Sequence, residues 1–139
     1  MSALHCIHWP LREGVQAECK AFRFPWRRRH EAPDERCSCG IYAVQFDTLA
    51  QGYRLMDPLG LYFPVLGTVS LWGTVVATEE GWRAEFAYPK QLFVPVLGRR
   101  PQAARRLGRA LERYGVSVHV LDTPAETLAE DLTELRRAA

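Results

Sequence analysis

The chain reads as an α+β domain: a metal-stapled N-terminal hairpin and loop, a bent antiparallel sheet, and a C-terminal helix–strand–helix. Three observations predict it. Period-2 alternation dominates two blocks before residue 90, helical spacing follows Pro101, and a long aperiodic polar stretch is bordered by cysteines and a histidine. At 139 residues, 47% of them hydrophobic, the chain matches one domain with enough apolar material for a packed core. Within that single domain, 1–40 reads as the metal-binding hairpin and Arg-rich loop, 41–97 as helix plus sheet, and 98–139 as the helix–strand–helix tail.

From the N-terminus, residues 3–9 alternate mildly and suit a short strand ending at Pro10, and Leu11 to Gly14 reads as a turn. Val15, Ala17, Cys19 and Ala21 alternate with Gln16, Glu18 and Lys20, the pattern of a half-buried strand. The two strands together predict a hairpin. Residues 25–39 hold Pro25, Trp26, three arginines, His30 and Pro33 before Cys37, and show neither periodicity. A loop of that length inside a compact domain usually carries a function or a fastener.

From Gly40 the spacing of Tyr42, Ala43, Phe46, Leu49, Ala50 and Tyr53 predicts a helix that stops near Gly52. Asp57 to Gly60 is a turn. Val65 to Ala77 then predicts a strand in which Gly67 and Gly73 mark bulges or close backbone approach, and Glu79-Glu80-Gly81 turns it into a second strand, Trp82 to Tyr88. Leu92 to Leu97 predicts one more short strand. Pro101 opens a helix with Ala104, Leu107, Leu111 and Tyr114 on one face, closed by Gly115. Val116, Val118 and Val120 form a strand. Thr123-Pro124-Ala125-Glu126 is a helix-start signal for a last helix striped by Leu128, Leu132 and Leu135.

The chemistry concentrates in Cys19, His30, Cys37 and Cys39, spaced C-x10-H-x6-C-x-C. Thiolate and imidazole are the ligands of borderline metals, and a Cys3His set saturates tetrahedral Zn2+ with no open position. A [2Fe–2S] cluster with Cys3His ligation is the alternative cofactor. A metal there would join a strand end, the arginine loop and the element beginning near Gly40, offsetting the loop's ordering entropy. The competing reading is that Cys19 is a small buried hydrophobe and the C-x-C pair incidental. His5, Cys6 and His8 are a rival group, but on a strand Cys6 and His8 face away from His5, so the three do not converge on one ion.

Arg27, Arg28 and Arg29 beside Trp26 and Phe24 combine charge with stackable rings, the composition of a nucleic-acid or anion contact. Of the 18 basic residues only Lys20 and Lys90 are lysine, a bias that a GC-rich genome explains as readily as a preference for gripping phosphate. A second cluster, Arg99, Arg100, Arg105, Arg106, Arg109 and Arg113, reads as a solvated helix face balanced by Asp122, Glu126, Glu130, Asp131 and Glu134. No nucleophile–base pairing, phosphate loop or dinucleotide fingerprint supports catalysis. No apolar run reaches the roughly 20 residues of a membrane span, and the first residues do not read as a signal peptide. The cytoplasm is therefore the expected location, with the thiols reduced.

The stretches His30-Glu31-Ala32-Pro33, Cys37-Ser38-Cys39-Gly40-Ile41-Tyr42-Ala43, Val69 to Val75 and Gly81 to Pro89 fit the patterns H-x-A-P, C-x-C-G-I-Y-A, V-x-L-W-G-x-V and G-x-R-A-x-x-A-x-P. In these the chain resembles a group of small bacterial proteins with no assigned function, over about half its length. The resemblance implies that His30, Cys37 and Cys39 belong to one recurrent unit with the β-hairpin. The functional expectation is a non-enzymatic binding module with a structural zinc site, contacting nucleic acid or a nucleic-acid-associated partner through Trp26 and Arg27 to Arg29. A redox or sensor protein is the first alternative. An adaptor in a larger protein assembly, anchored by Trp26 or Trp72, is the second.

Overall fold

The structure is a computed structural model and describes residues 9–19, 30–45, 65–96 and 101–122. Its elements in chain order are β1 (Val15–Gln16), β2 (Ile41–Val44), β3 (Leu66–Thr78), β4 (Gly81–Pro95), α1 (Pro101–Leu111) and β5 (Ser117–Leu121). The α+β class holds, with a mainly antiparallel sheet and one helix among the described residues. The last helix expected after Thr123, the turn at 57–60 and the strand before Trp9 lie outside the described residues.

The chain divides into two compact units, 1–45 with 69–89 and 46–68 with 90–139. In the first, β3 and β4 pair around the Thr78–Gly81 turn, and the early part of β4 also takes β1 and β2, both antiparallel. Val15 sits opposite Ala87 and Gln16 opposite Phe86, while Ile41 to Val44 run opposite Ala84 to Gly81. Val15, Ile41 and Ala87 form a small buried cluster, against which Trp9, Ala17 and Leu71 pack. Trp72 stacks on Phe86 with ring centroids 5.7 Å apart. Beside this pair Gly73 has φ +75°, and an added Cβ would stand 2.7 Å from Glu85 Oε2. The close approach expected of that glycine is present, and Glu85 uses the same oxygen to accept the Thr74 N–H at 3.1 Å.

In the second unit β5 runs parallel to β4, Gln91 to Pro95 facing Ser117 to Leu121. The helix α1 starts at Pro101, buries Ala104 and Gly108, and ends in a short 3-10 turn, Glu112–Tyr114, capped by Gly115 at φ 72°. Phe93 stacks on His119.

Three expectations are corrected. The segment after Gly40 is a strand rather than the start of a helix: Ile41 and Ala43 turn inward while Tyr42 and Val44 are exposed, a period of two that the free edge of β4 rewards with ladder hydrogen bonds. The rest of that expected helix, from Phe46 on, lies outside the described residues. Leu92 does not begin a separate strand, because β4 continues through Pro89 to Pro95. The sheet is not wholly antiparallel, since α1 carries the chain back so that β5 enters beside β4 in the same direction.

Candidate metal centre

The site is built by the first unit. Beyond β1 the chain keeps its extended path, with the Ala17 N–H donating to the Glu85 carbonyl at 2.7 Å. Val15, Ala17 and Cys19 therefore stay on one side, with Gln16 and Glu18 exposed on the other. His30 follows ten residues later. Asp34 then organises a tight turn: its Oδ1 accepts the Arg36 N–H at 2.8 Å and its carbonyl accepts the Cys37 N–H at 3.1 Å. This is the local bonding that aspartate offers a backbone in place of helix or sheet, and it delivers Cys37 and Cys39 side by side. Gly40 closes the turn at φ +124°, where an added Cβ would stand 3.1 Å from the Cβ atoms of both Arg83 and Pro33. Only glycine fits that backbone at that distance.

The four ligand atoms of Cys19, His30, Cys37 and Cys39 all lie within 4.8 Å of one another, and each residue is half-buried. The Sγ atoms of Cys19 and Cys37 are 3.8 Å apart, and His30 Nε2 lies 3.3 Å from Cys39 Sγ. The three cysteines are free thiols. Burial opposes ionisation of Cys37, but hydrogen bonds from the Cys39 backbone and from the side chains of Cys39, Cys19 and His30 outweigh it and lower its pKa from 9.0 to about 7. Cys39 is pushed the other way, to about 11: burial, the hydrogen bond with Cys37 and the charges of Cys19 and Cys37 disfavour its thiolate, against a backbone hydrogen bond at Asp34. Four soft or borderline donors drawn to one point, in a pocket that already favours one thiolate, can hold a metal ion.

One residue of the centre has no ligand atom. Arg83, only 6% exposed, turns its Nη1 to three carbonyls of the turn, those of Asp34 at 3.2 Å, Cys39 at 2.9 Å and Cys37. Tyr42, directly opposite Arg83 in the ladder, donates its hydroxyl to the Ser38 carbonyl at 2.5 Å. Sequence reasoning placed Arg83 in a motif and gave it no role. The available signal was an arginine between Trp82 and Ala84 in a strand whose neighbours are mostly apolar, where a charge needs a buried partner.

Trp26, Arg27, Arg28 and Arg29, and the rival group His5, Cys6 and His8, lie outside the described residues. In the second cluster Arg105 pairs with Asp122 at 3.6 Å, both well exposed, as expected of a solvated helix face. Trp72 is 42% exposed even with Phe86 against it. An open depression of about 530 Å³ lies beside the centre, lined by Cys37, Ser38, Tyr42, Val44, Glu79 and Arg83 among others. Among the described residues no helix is long and apolar enough to cross a membrane. Compared with known proteins, the chain matches no family model, no curated protein and no solved structure.

Proposed function

We propose that Cys19, His30, Cys37 and Cys39 hold one structural Zn2+ ion, and that the ion closes the basic loop between Cys19 and His30 into a contact surface for nucleic acid. The observation that carries the first half is the mutual distance of the four donors, all within 4.8 Å. Bond lengths for tetrahedral zinc put ligand sulfurs about 3.8 Å apart and a ligand nitrogen about 3.5 Å from a sulfur. The Cys19–Cys37 distance of 3.8 Å and the His30–Cys39 distance of 3.3 Å fall close to both. A two-iron cluster spreads its ligands over two metal centres, so donors on different irons stand farther apart than donors on one ion. Four donors inside one small sphere suit a single ion better. Four protein ligands also leave no position for a substrate, which makes the role structural.

The second half rests on placement. Cys19 and His30 border residues 20–29, so a metal that binds both fixes the two ends of the segment carrying Trp26 and Arg27 to Arg29. Arginine beside an aromatic ring offers phosphate contact and base stacking together. A site built on free thiols suits the reducing cytoplasm, the location that goes with this reading.

Elemental analysis of protein purified with and without oxygen is the deciding measurement. One zinc per chain in a colourless solution supports the reading. Iron with visible absorption would replace it with a redox or sensor centre, and no metal above background would remove it. For the loop, binding of random oligonucleotides should fall steeply with salt through counterion release and weaken on chelation. Undetectable binding at low ionic strength would leave the zinc site without its proposed partner.

A further inference from the structure

A guanidinium buried to the extent of Arg83 requires a negative charge nearby, because an uncompensated ion away from water is costly. Among the described residues no carboxylate supplies one. The one ion pair among the described residues is between Arg105 and Asp122, in the other unit. The carboxylates of Asp34 and Glu85 accept main-chain N–H groups, Asp34 Oδ1 that of Arg36 and Glu85 Oε2 that of Thr74, and neither forms an ion pair with Arg83. What Arg83 touches instead is the main chain of the ligand turn, and the carbonyls of both Cys37 and Cys39 are among its acceptors. Three thiolates, a neutral imidazole and a divalent ion carry one net negative charge.

We infer that Arg83 is the positioning residue and counter-charge of the metal centre: one guanidinium nitrogen fixes the Asp34–Cys39 turn by its carbonyls and offsets the surplus charge of a Cys3His site holding a divalent ion. The inference rests on the zinc reading above and adds to it a residue from a distant strand that sets how tightly the ion is held. Partners of this kind, behind the ligands, typically account for about 10–100-fold in metal affinity. Charge and geometry can be separated by substitution. Arg83→Met removes both, whereas Arg83→Lys keeps the charge on a side chain one bond too short to put its nitrogen where Nη1 meets the three carbonyls.

The test uses the full chain loaded with zinc, for affinity by competition with a chromophoric chelator, and with cobalt, for its visible spectrum. In Arg83→Met zinc affinity should drop by about 10–100-fold. Its thiolate-to-cobalt charge-transfer band should move to longer wavelength, because the sulfur lone pairs lose a nearby cation. Arg83→Lys should return the band toward the wild-type position while recovering affinity only in part. Tyr42→Phe, which removes the Ser38 contact with no change of charge, should leave the band in place. Wild-type protein that binds one zinc while Arg83→Met binds it equally tightly, with an unmoved cobalt band, overturns the role of Arg83 and leaves the zinc site standing. Wild-type protein that takes up no metal overturns the zinc reading itself. If Arg83→Met fails to fold, Arg83→Lys decides: weakened affinity with a wild-type band supports the inference, and unchanged affinity sinks it.

Discussion

A metal binds thiolate rather than thiol, so each cysteine still protonated in the free protein must release its proton as the ion enters. The two shifted thiols then give zinc affinity a particular dependence on pH. Cys39, pushed up to about 11, is protonated throughout the neutral range, and it contributes one proton per ion bound at every pH there. Cys37, brought down to about 7, contributes a full proton well below that value, half a proton at it, and almost none above. The sign is the same for both: affinity rises with pH. Together they add about two units per pH unit near pH 6 and about one near pH 8 to the climb in the logarithm of the apparent binding constant, on top of the share of the other two ligands. Two thiols left at their ordinary 9.0 would give a slope near two across that whole span. Chelator competition at fixed ionic strength measures the slope, and proton release on mixing zinc with unbuffered protein counts the same quantity directly. The Cys37 share is isolated by Cys37→Ser, in which the decline in slope through pH 7 should shrink by about one unit. A slope that stays constant through pH 7 in the wild type, or a Cys37→Ser profile with an undiminished decline, would refute the argument that the turn already favours one thiolate.

Other perturbations test the scaffold. Ile41, 4% exposed and packed in the cluster with Val15 and Ala87, should cost about 2–4 kcal/mol when changed to alanine, read by denaturant unfolding; a loss below about 1 kcal/mol would mean the cluster is not packed as described. Gly40→Ala forces a side chain onto a φ of +124° and against Arg83 and Pro33, so a destabilisation of about 1–3 kcal/mol together with weaker zinc binding is expected. Arg105→Ala removes an exposed pair at 3.6 Å and should change stability by less than about 0.5 kcal/mol in the same unfolding assay.

The convergence of Cys19, His30, Cys37 and Cys39 was legible because metal chemistry draws on a few residue types and because an aperiodic stretch ends in those types. The β3–β4 pair was legible from Glu79-Glu80-Gly81 between two β-rich runs, and α1 from its apolar face and Gly115. Residues 41–44 were not. Tyr42, Ala43 and Phe46 satisfy helical spacing, while Ile41 and Val44 satisfy strand propensity, and a short segment of this kind is settled by whatever edge it meets. That edge belongs to residues 81–84, some forty positions away. The direction of β5 was hidden for the same reason, since Val116, Val118 and Val120 alternate equally well for either orientation. The role of Arg83 was least legible of all, because its acceptors precede it by 44 to 49 residues.

The register of β4 explains why these distant ligands meet at all. The Ala17 N–H bonds the Glu85 carbonyl, so Cys19, two residues on, heads along β4 toward Arg83. Ile41 faces Ala84, so Cys39, two residues before it, approaches the same few residues from the other direction. Arg83, next to Ala84 and opposite Tyr42, reaches back to the turn. Three of the contributors to the centre, Cys19, Cys39 and Arg83, are thus indexed to one short segment of one strand. A slip of either partner by a single residue would send its side chains to the opposite face. The register directs Cys19 and Cys39 to one place, where His30 and Cys37 join them with all four donor atoms within 4.8 Å. On the zinc reading an ion would tie His30 and the Asp34 turn to that strand and offset the cost of ordering them. On that reading the ion would join the two ends of the sequence between Cys19 and His30, while the register of β4 sets where Cys19 and Cys39 lie.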